Sequence, residues 1–291
     1  MEKSAVSVRS LLGGKPDTRR VMVDLLIALS PAVIAAIVFY GLRAAVIIAT
    51  CVSASMLSEF FFNIIAKKEQ TAGDLSAVVT GLLLALNLTT YATLWQCLVG
   101  SVFAIVIVKC AFGGLGKNFV NPSVTAKVML VIAFGGVSVE QSITEYSIWD
   151  KLLGNGNAGA AIGTTSAVAV LVGAIYLLVR RVIGWQIPVI YVAGVFALSF
   201  ALGGNVDAAL DGILGGGLLL AAVFMATDPV TSPKKSWGKV IFALGCAILT
   251  VLISSFGTYG TSAVVFAILF MNILTPYIDM IFEKKTEEVE A

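Results

Sequence analysis

Five ionisable residues lie in or beside apolar runs of this sequence: Asp24, Glu59, Lys127, Asp228 and Asp279. A charge at the centre of an inserted helix costs about 2.5–3.5 kcal/mol, so each must be paired, hydrated or used. Glu59 precedes Lys67 by one to two helical turns and reads as a group that can take up a proton or a sodium ion. Asp228 closes an apolar run and precedes Pro229. Lys127, the deepest cation in an apolar stretch, could pair with an acid or hold a phosphate. Glu59, Lys127 and Asp228 are therefore the candidate ion pathway. Asp24, four residues after Arg20, and Asp279, near the inner end of the last apolar run, read as interfacial charges.

Much chemistry is excluded. The chain has no histidine, the usual metal ligand and general base near neutral pH. Cys51, Cys97, Cys110 and Cys246 lie in apolar stretches without CxxC spacing. They read as small buried hydrophobes, with an iron site shared with a partner chain as the alternative. Gly113 to Gly116 follow a helical run, not a strand, so no dinucleotide or phosphate loop is present. Two stretches do break the hydrophobic sequence. The first is Asn87–Thr90 with Gly113–Asn118, ending in Asn121-Pro122; the second is Thr227–Pro233. Proline and glycine there free backbone groups that protein, ion or water must meet. Such breaks are either surface loops or the lining of a cofactor or ion site.

The elements that must position these residues are membrane helices. Of 291 residues, 58% are hydrophobic and 12% charged, against roughly a quarter charged in soluble domains. Apolar runs predict ten spans, near 21–40, 44–66, 76–89, 94–108, 122–136, 159–179, 187–202, 213–226, 240–255 and 263–282. With the N-terminus inside, sixteen lysines and arginines fall in inner loops and only Arg43 and Lys151 outside, which predicts cytoplasmic termini at both ends. The polar, basic start does not resemble a cleaved signal peptide. Gly81–Ala85 recurs as Gly217–Ala221, both Gly-Leu-Leu-Leu-Ala. Five spans per half then predict an inverted repeat, an arrangement that encloses a pathway in many transporters. The expected layout is an all-α integral membrane protein. Its parts are a cytoplasmic segment 1–20, a first repeat 21–136, an outer loop 137–158, a second repeat 159–282 and a cytoplasmic tail 283–291.

Several of these stretches resemble one known family. Ser76–Ala85, Phe112–Asn118 with Asn121-Pro122, Phe224–Pro233, and Ala267–Asn272 with Pro276 resemble, in order, the D subunit of the Rnf-type ion-translocating oxidoreductase. More loosely, they resemble the B subunit of the sodium-translocating NADH:quinone reductase. The resemblance implies a cell-membrane subunit of a complex passing electrons between ferredoxin and NAD while moving sodium ions or protons. It implies partners that carry flavin and iron–sulfur centres. It also implies a flavin here, usually FMN esterified to threonine in a Ser/Thr-Gly-Ala-Thr motif between the fifth and sixth spans.

The chain departs from that pattern, because 137–158 contains no Gly-Ala-Thr. Thr144 is its only threonine, with Thr164 and Thr165 next along the chain. Non-covalent flavin, FMN or riboflavin, in a broken-helix pocket is the alternative to a phosphoester. Gly113, Asn118, Asn121, Thr227 and Asp228 are its expected neighbours, and Lys127 a candidate partner of reduced flavin. The rival readings are a flavin-free channel or transporter and a structural subunit.

Overall fold

The computed structural model describes residues 18–135, 147–154, 161–214, 217–256 and 262–290. Those residues form helices and connecting turns, with no strand among them. The first helix, α1 (Thr18–Ile65), contains one non-helical residue, Gly41, at φ 62° and ψ −145°. That conformation is accessible to glycine and to few other residues. An unbroken helix of 48 residues would run about 72 Å, more than twice a bilayer's apolar core. Gly41 instead joins two lengths that the sequence reads as separate spans.

The rest of the first half holds α2 (Ser76–Leu86), α3 (Leu94–Val102) and α4 (Pro122–Phe134). Phe103–Cys110 continues α3 as a π-helix. Thr93 caps α3 with a reciprocal Gln96 contact, and Asn121 caps α4 with Pro122 at its first position, where the missing N–H does no harm. A short α5 (Ile148–Leu153) leads to the second half: α6 (Ala167–Val179), α7 (Gln186–Gly203), α8 (Val206–Leu214), α9 (Leu218–Phe224), α10 (Ser236–Phe256) and α11 (Ala263–Glu290). The expected span 213–226 is therefore corrected. Helix α8 ends at Leu214, and α9 starts only after Gly217, which sits at φ 70°. The span expected at 76–89 also ends earlier, at Leu86, with Asn87 as its C-terminal cap.

Four described helices are long and apolar enough to cross a membrane: α1, α7, α10 and the Ala263–Phe282 part of α11. Their outward faces carry large apolar side chains, and with α6 they expose Ile34, Val38, Leu42, Ile175, Val189 and Ile281, each more than half accessible. The interior meanwhile holds buried Asp24, Glu59, Lys109 and Lys127. Apolar outside and charged within is the arrangement that lipid selects. This is a membrane protein.

Helix α1 organises the fold, packing against α2, α3 and α6, while α10 packs between α7 and α11. Glycines set the closest approaches. A Cβ at Gly173 of α6 would lie 2.1 Å from the Ala28 carbonyl oxygen of α1. One at Gly81 of α2 would lie 2.6 Å from the Cys51 carbonyl oxygen and 2.8 Å from Ser55 Oγ. Where α1 meets α6 at the other end, Asp24 accepts from Tyr176 Oη at 3.0 Å and Arg180 Nη2 at 3.2 Å.

Candidate functional site: a cavity between the two broken stretches

The two sequence breaks meet. Asn121 directs Oδ1 at the first turn of α4, where it accepts from Ser123 N, Val124 N and Ser123 Oγ. Its Nδ2 donates across the molecule to the Met225 carbonyl oxygen and to Asp228 Oδ2, at 3.4 and 3.3 Å. Its backbone N–H donates to Asn272 Oδ1 on α11. Asn272 Nδ2 and Thr275 Oγ1 both donate to the Thr231 carbonyl oxygen, inside the second break. One buried amide, Asn121, thus caps a helix of the first half and anchors the irregular segment of the second.

A cavity of about 340 Å³ opens beside this junction. Met22, Leu25, Val79, Leu83 and Phe224 give it an apolar wall. Polar groups come from Ser76, Lys109, Asn118, Asn121, Thr227 and Asp228. Its size and its few polar groups on an apolar wall suit a small-molecule ligand, since such sites run roughly 300–1,000 Å³. The first turns of α2 and α4 both border it, and helix N-termini favour negative charge. Asn118 is 4% exposed; its Nδ2 donates to the Val120 carbonyl oxygen while its Oδ1 is buried without a partner. Asp228 lies outside the helices. Burial pushes its carboxyl above the ordinary carboxylate range, against the pull of the Val230 N–H.

Behind the cavity wall lies a buried ion pair. Lys109 Nζ donates to Glu59 Oε1 at 2.8 Å and to Ser76 Oγ at 2.5 Å. Thr71 Oγ1 donates to the same Glu59 oxygen at 2.6 Å, and Asn63 Nδ2 donates to Thr71. Ser76 Oγ in turn donates to Asp74 Oδ1, which also accepts from Ser76 N. Leu75, between those two, takes φ 66°, a strained conformation for a branched side chain. That turn sets Asp74 beneath the start of α2.

The expected site residues are therefore distributed as follows. Asn118, Asn121, Thr227 and Asp228 converge on the cavity, and Glu59 reaches it through Lys109. Gly113, at φ 110°, lies in the turn after the π-helix, and Lys127 is buried on α4; neither forms the cavity wall. Thr164 and Thr165 are buried, donating to the carbonyl oxygens of Ala161 and Ile162. Thr144 lies outside the described residues.

Lys109 calls for a correction. Its position in the sequence puts it among the inner-loop cations, yet it is 1% exposed inside the π-helix and is buried more deeply than Lys127, at 5%. Its partner Ser76, and Thr71, which donates to Glu59, are likewise not among the candidate site residues named from the sequence. One signal for Lys109 does exist. An acid such as Glu59 within an apolar run demands a cation nearby, and Lys109 ends an apolar run of the same half.

Residues 5–287 match the NQR2, RnfD, RnfE family. The chain belongs to that family. Within it, the chain is 36% identical to the D subunit of the Na(+)-translocating ferredoxin:NAD(+) oxidoreductase complex of Acetobacterium woodii, covering 94% of this chain and 92% of that protein. It is 33% identical to the D subunit of the proton-translocating ferredoxin:NAD(+) oxidoreductase complex of Clostridium ljungdahlii, over 89% and 88% of the two chains. The B subunit of the Na(+)-translocating NADH-quinone reductase of Chromohalobacter salexigens is 33% identical over 70% of this chain and 57% of its own. In this NQR2, RnfD, RnfE member, residues from both 112–122 and 224–233 line the cavity.

Proposed function

We propose that this chain is the D subunit of an Rnf-type complex that couples electron transfer between ferredoxin and NAD to translocation of sodium ions or protons. The end-to-end similarity to two such subunits carries this reading. Its partners are then the other membrane and peripheral subunits, with flavin and iron–sulfur centres. The proposed setting is the cell membrane, crossed about ten times by two inverted five-helix repeats, 21–136 and 159–282, with both termini cytoplasmic.

We further propose that the subunit is a flavoprotein holding FMN or riboflavin in the cavity. The residues fit such a group. An isoalloxazine is flat and largely apolar with one polar edge, and the cavity offers an apolar wall, an unpartnered Asn118 acceptor and the Lys109 ammonium. Asn118 and Asn121 would orient the polar edge, and Lys109 with the first turns of α2 and α4 would stabilise negative charge. A bound flavin would supply the reversible electron chemistry that none of these side chains has. A flavin in this cavity, whose lining lies at the cytoplasmic end in the proposed topology, would be held without a phosphoester. A phosphoester at Thr144 in the outer loop would hold FMN on the other face of the membrane, and the Thr164 and Thr165 hydroxyls are buried and already donating. Asp228, Glu59 and Lys127 are the proposed ion-handling residues, Glu59 and Lys127 as buried ionisable groups in a lipid-embedded chain and Asp228 as a half-buried acid on the cavity wall.

The test is flavin fluorescence after acid denaturation of the purified subunit. Fluorescence released into the supernatant is the expected result. Fluorescence retained by the protein band identifies a covalent bond, which peptide mass mapping then locates. No flavin in either fraction, from an intact complex, overturns the flavoprotein reading in favour of a structural or flavin-free transport subunit.

A further inference from the structure

The Glu59 carboxylate is satisfied on one side only. Oε1 accepts from both Lys109 and Thr71, while Oε2 is buried with no hydrogen-bond partner. Side-chain exposure is 2% for each member of the pair, so solvent does not complete the shell. A buried carboxylate oxygen without a donor marks a place where a further proton or cation is stabilised. Ser55, one turn earlier on the same face of α1, is fully buried, and its Oγ also has no partner.

Lys109 is shared in the opposite direction. Its ammonium has three N–H donors; two reach Glu59 and Ser76, and the residue forms part of the cavity wall. It is carried on a π-helix, a local widening that recurs at functional sites. The surrounding charged and titratable groups are Asp74, which accepts from Ser76, together with Cys110 and Lys68. One ammonium therefore borders both the buried acid and the ligand cavity.

We infer that Lys109 is an exchangeable counter-ion: when negative charge enters the cavity, Lys109 turns to it, and Glu59 takes up a monovalent cation in its place. The inference rests on the flavoprotein reading. Charge balances at each stage. Glu59 and Lys109 are neutral as a pair; a negative charge in the cavity claims the ammonium, and the cation taken up neutralises Glu59. Oε2, with Ser55 Oγ one turn away, provides oxygens for that cation, whether a proton or an alkali ion. Lys109 is a positioning residue here, acting on the ion through Glu59.

The exchange is testable without measuring turnover. Dicyclohexylcarbodiimide modifies protonated carboxyls in apolar surroundings, and peptide mass spectrometry reads the extent at Glu59. The assembled complex in membranes is treated in its oxidised and dithionite-reduced forms, with and without NaCl at fixed pH, and flavin absorbance is recorded on the same samples. Modification of Glu59 rises several-fold on reduction in sodium-free buffer. Suppression of that rise by sodium identifies an alkali ion, and indifference to sodium identifies a proton. Unchanged modification while the flavin band bleaches overturns the exchange and leaves the cofactor reading standing. Absence of flavin from this subunit, separated from the same complex after acid denaturation, overturns the cofactor reading and the exchange with it. In Lys109→Gln, Glu59 is modified equally in both forms; a persisting redox difference removes Lys109 from the mechanism. The wild-type comparison decides the matter alone if that variant does not assemble.

Discussion

Asn121 donates to Asp228 at 3.3 Å across 107 positions of sequence, and this bond ties the broken segment of one half to that of the other. It is a contact between an uncharged donor and an acid on the wall of the cavity, so charge and shape can be separated by mutation. Asp228→Asn keeps an oxygen to accept from Asn121 and loses the negative charge. Ion translocation by the complex then falls several-fold, while the subunit still co-purifies with its partners. Unchanged translocation would remove Asp228 from the ion pathway.

Asn121→Ala has a different effect. It removes the α4 cap and leaves the Asp228 and Met225 oxygens short of a donor. Loss of a cap costs about 0.5–2 kcal/mol, and the lost hydrogen bond to the half-buried Asp228 adds about 0.5–1.5 kcal/mol. Thermal denaturation in detergent should show a clear drop in midpoint. A variant as stable as the parent would mean that the break is held by other contacts.

The Glu59–Lys109 pair should behave non-additively. Removing one partner from a buried pair destabilises by about 3–5 kcal/mol, because the other charge is stranded. Glu59→Gln and Lys109→Gln are each expected to unfold at lower denaturant concentration than the parent. The double variant recovers much of the loss, having no stranded charge. Additive losses in that cycle would show that the two charges are independently compensated.

Close packing of α6 on α1 gives a prediction free of charge. Gly173→Ala forces a methyl group to within 2.1 Å of the Ala28 carbonyl oxygen unless the helices separate. Overpacking costs about 1–3 kcal/mol. The same change at Gly114, whose added Cβ meets no atom within 4 Å, carries only the strain of its φ of 96°. Gly173→Ala is expected to lower yield and thermal midpoint by the action of a steric clash. A compensating small residue opposite cannot rescue it, because the clash is with backbone.

Tyr176→Phe removes one of the donors to Asp24 and keeps the ring. The expected loss is about 0.5–1.5 kcal/mol, the usual net value of one hydrogen bond. Arg180, with 40% of its side chain exposed, gives Asp24 a solvent-screened ion pair as well. Arg180→Gln is therefore expected to alter stability less in high salt than in low salt. A salt-independent loss would point to a packing role for the guanidinium.

Legibility in the sequence follows the physics of each signal. Apolar length finds the helices, because lipid demands it of any span. Proline and glycine mark the two breaks, and Asn118, Asn121, Thr227 and Asp228 do converge where those breaks meet. The separation of α8 from α9 is invisible, since 213–226 is apolar on both sides of Gly217 and hydropathy does not register where one helix ends and the next begins. Lys109 escapes notice for a related reason. It sits near the end of an apolar run, where a lysine normally marks the membrane surface, and only the partner demanded by Glu59 tells against that. Helical periodicity assumes 3.6 residues per turn, and this segment does not obey it.

That local change of pitch has a consequence for how the segment can vary. Ala111 N donates to the Val106 carbonyl oxygen and Gly114 N to that of Lys109, both five residues back instead of four. Each wide turn accommodates residues that an α-helical ladder would pass on to the next turn. Deleting one residue between Phe103 and Val108 would let the ladder relax to ordinary pitch with little net rotation, whereas inserting one would turn everything beyond it by about 100°. After the insertion Lys109 would leave Glu59, although every original side chain kept its chemical character. Single-residue insertions along Phe103–Val108 are therefore expected to separate Lys109 from Glu59, and single-residue deletions to be borne far better.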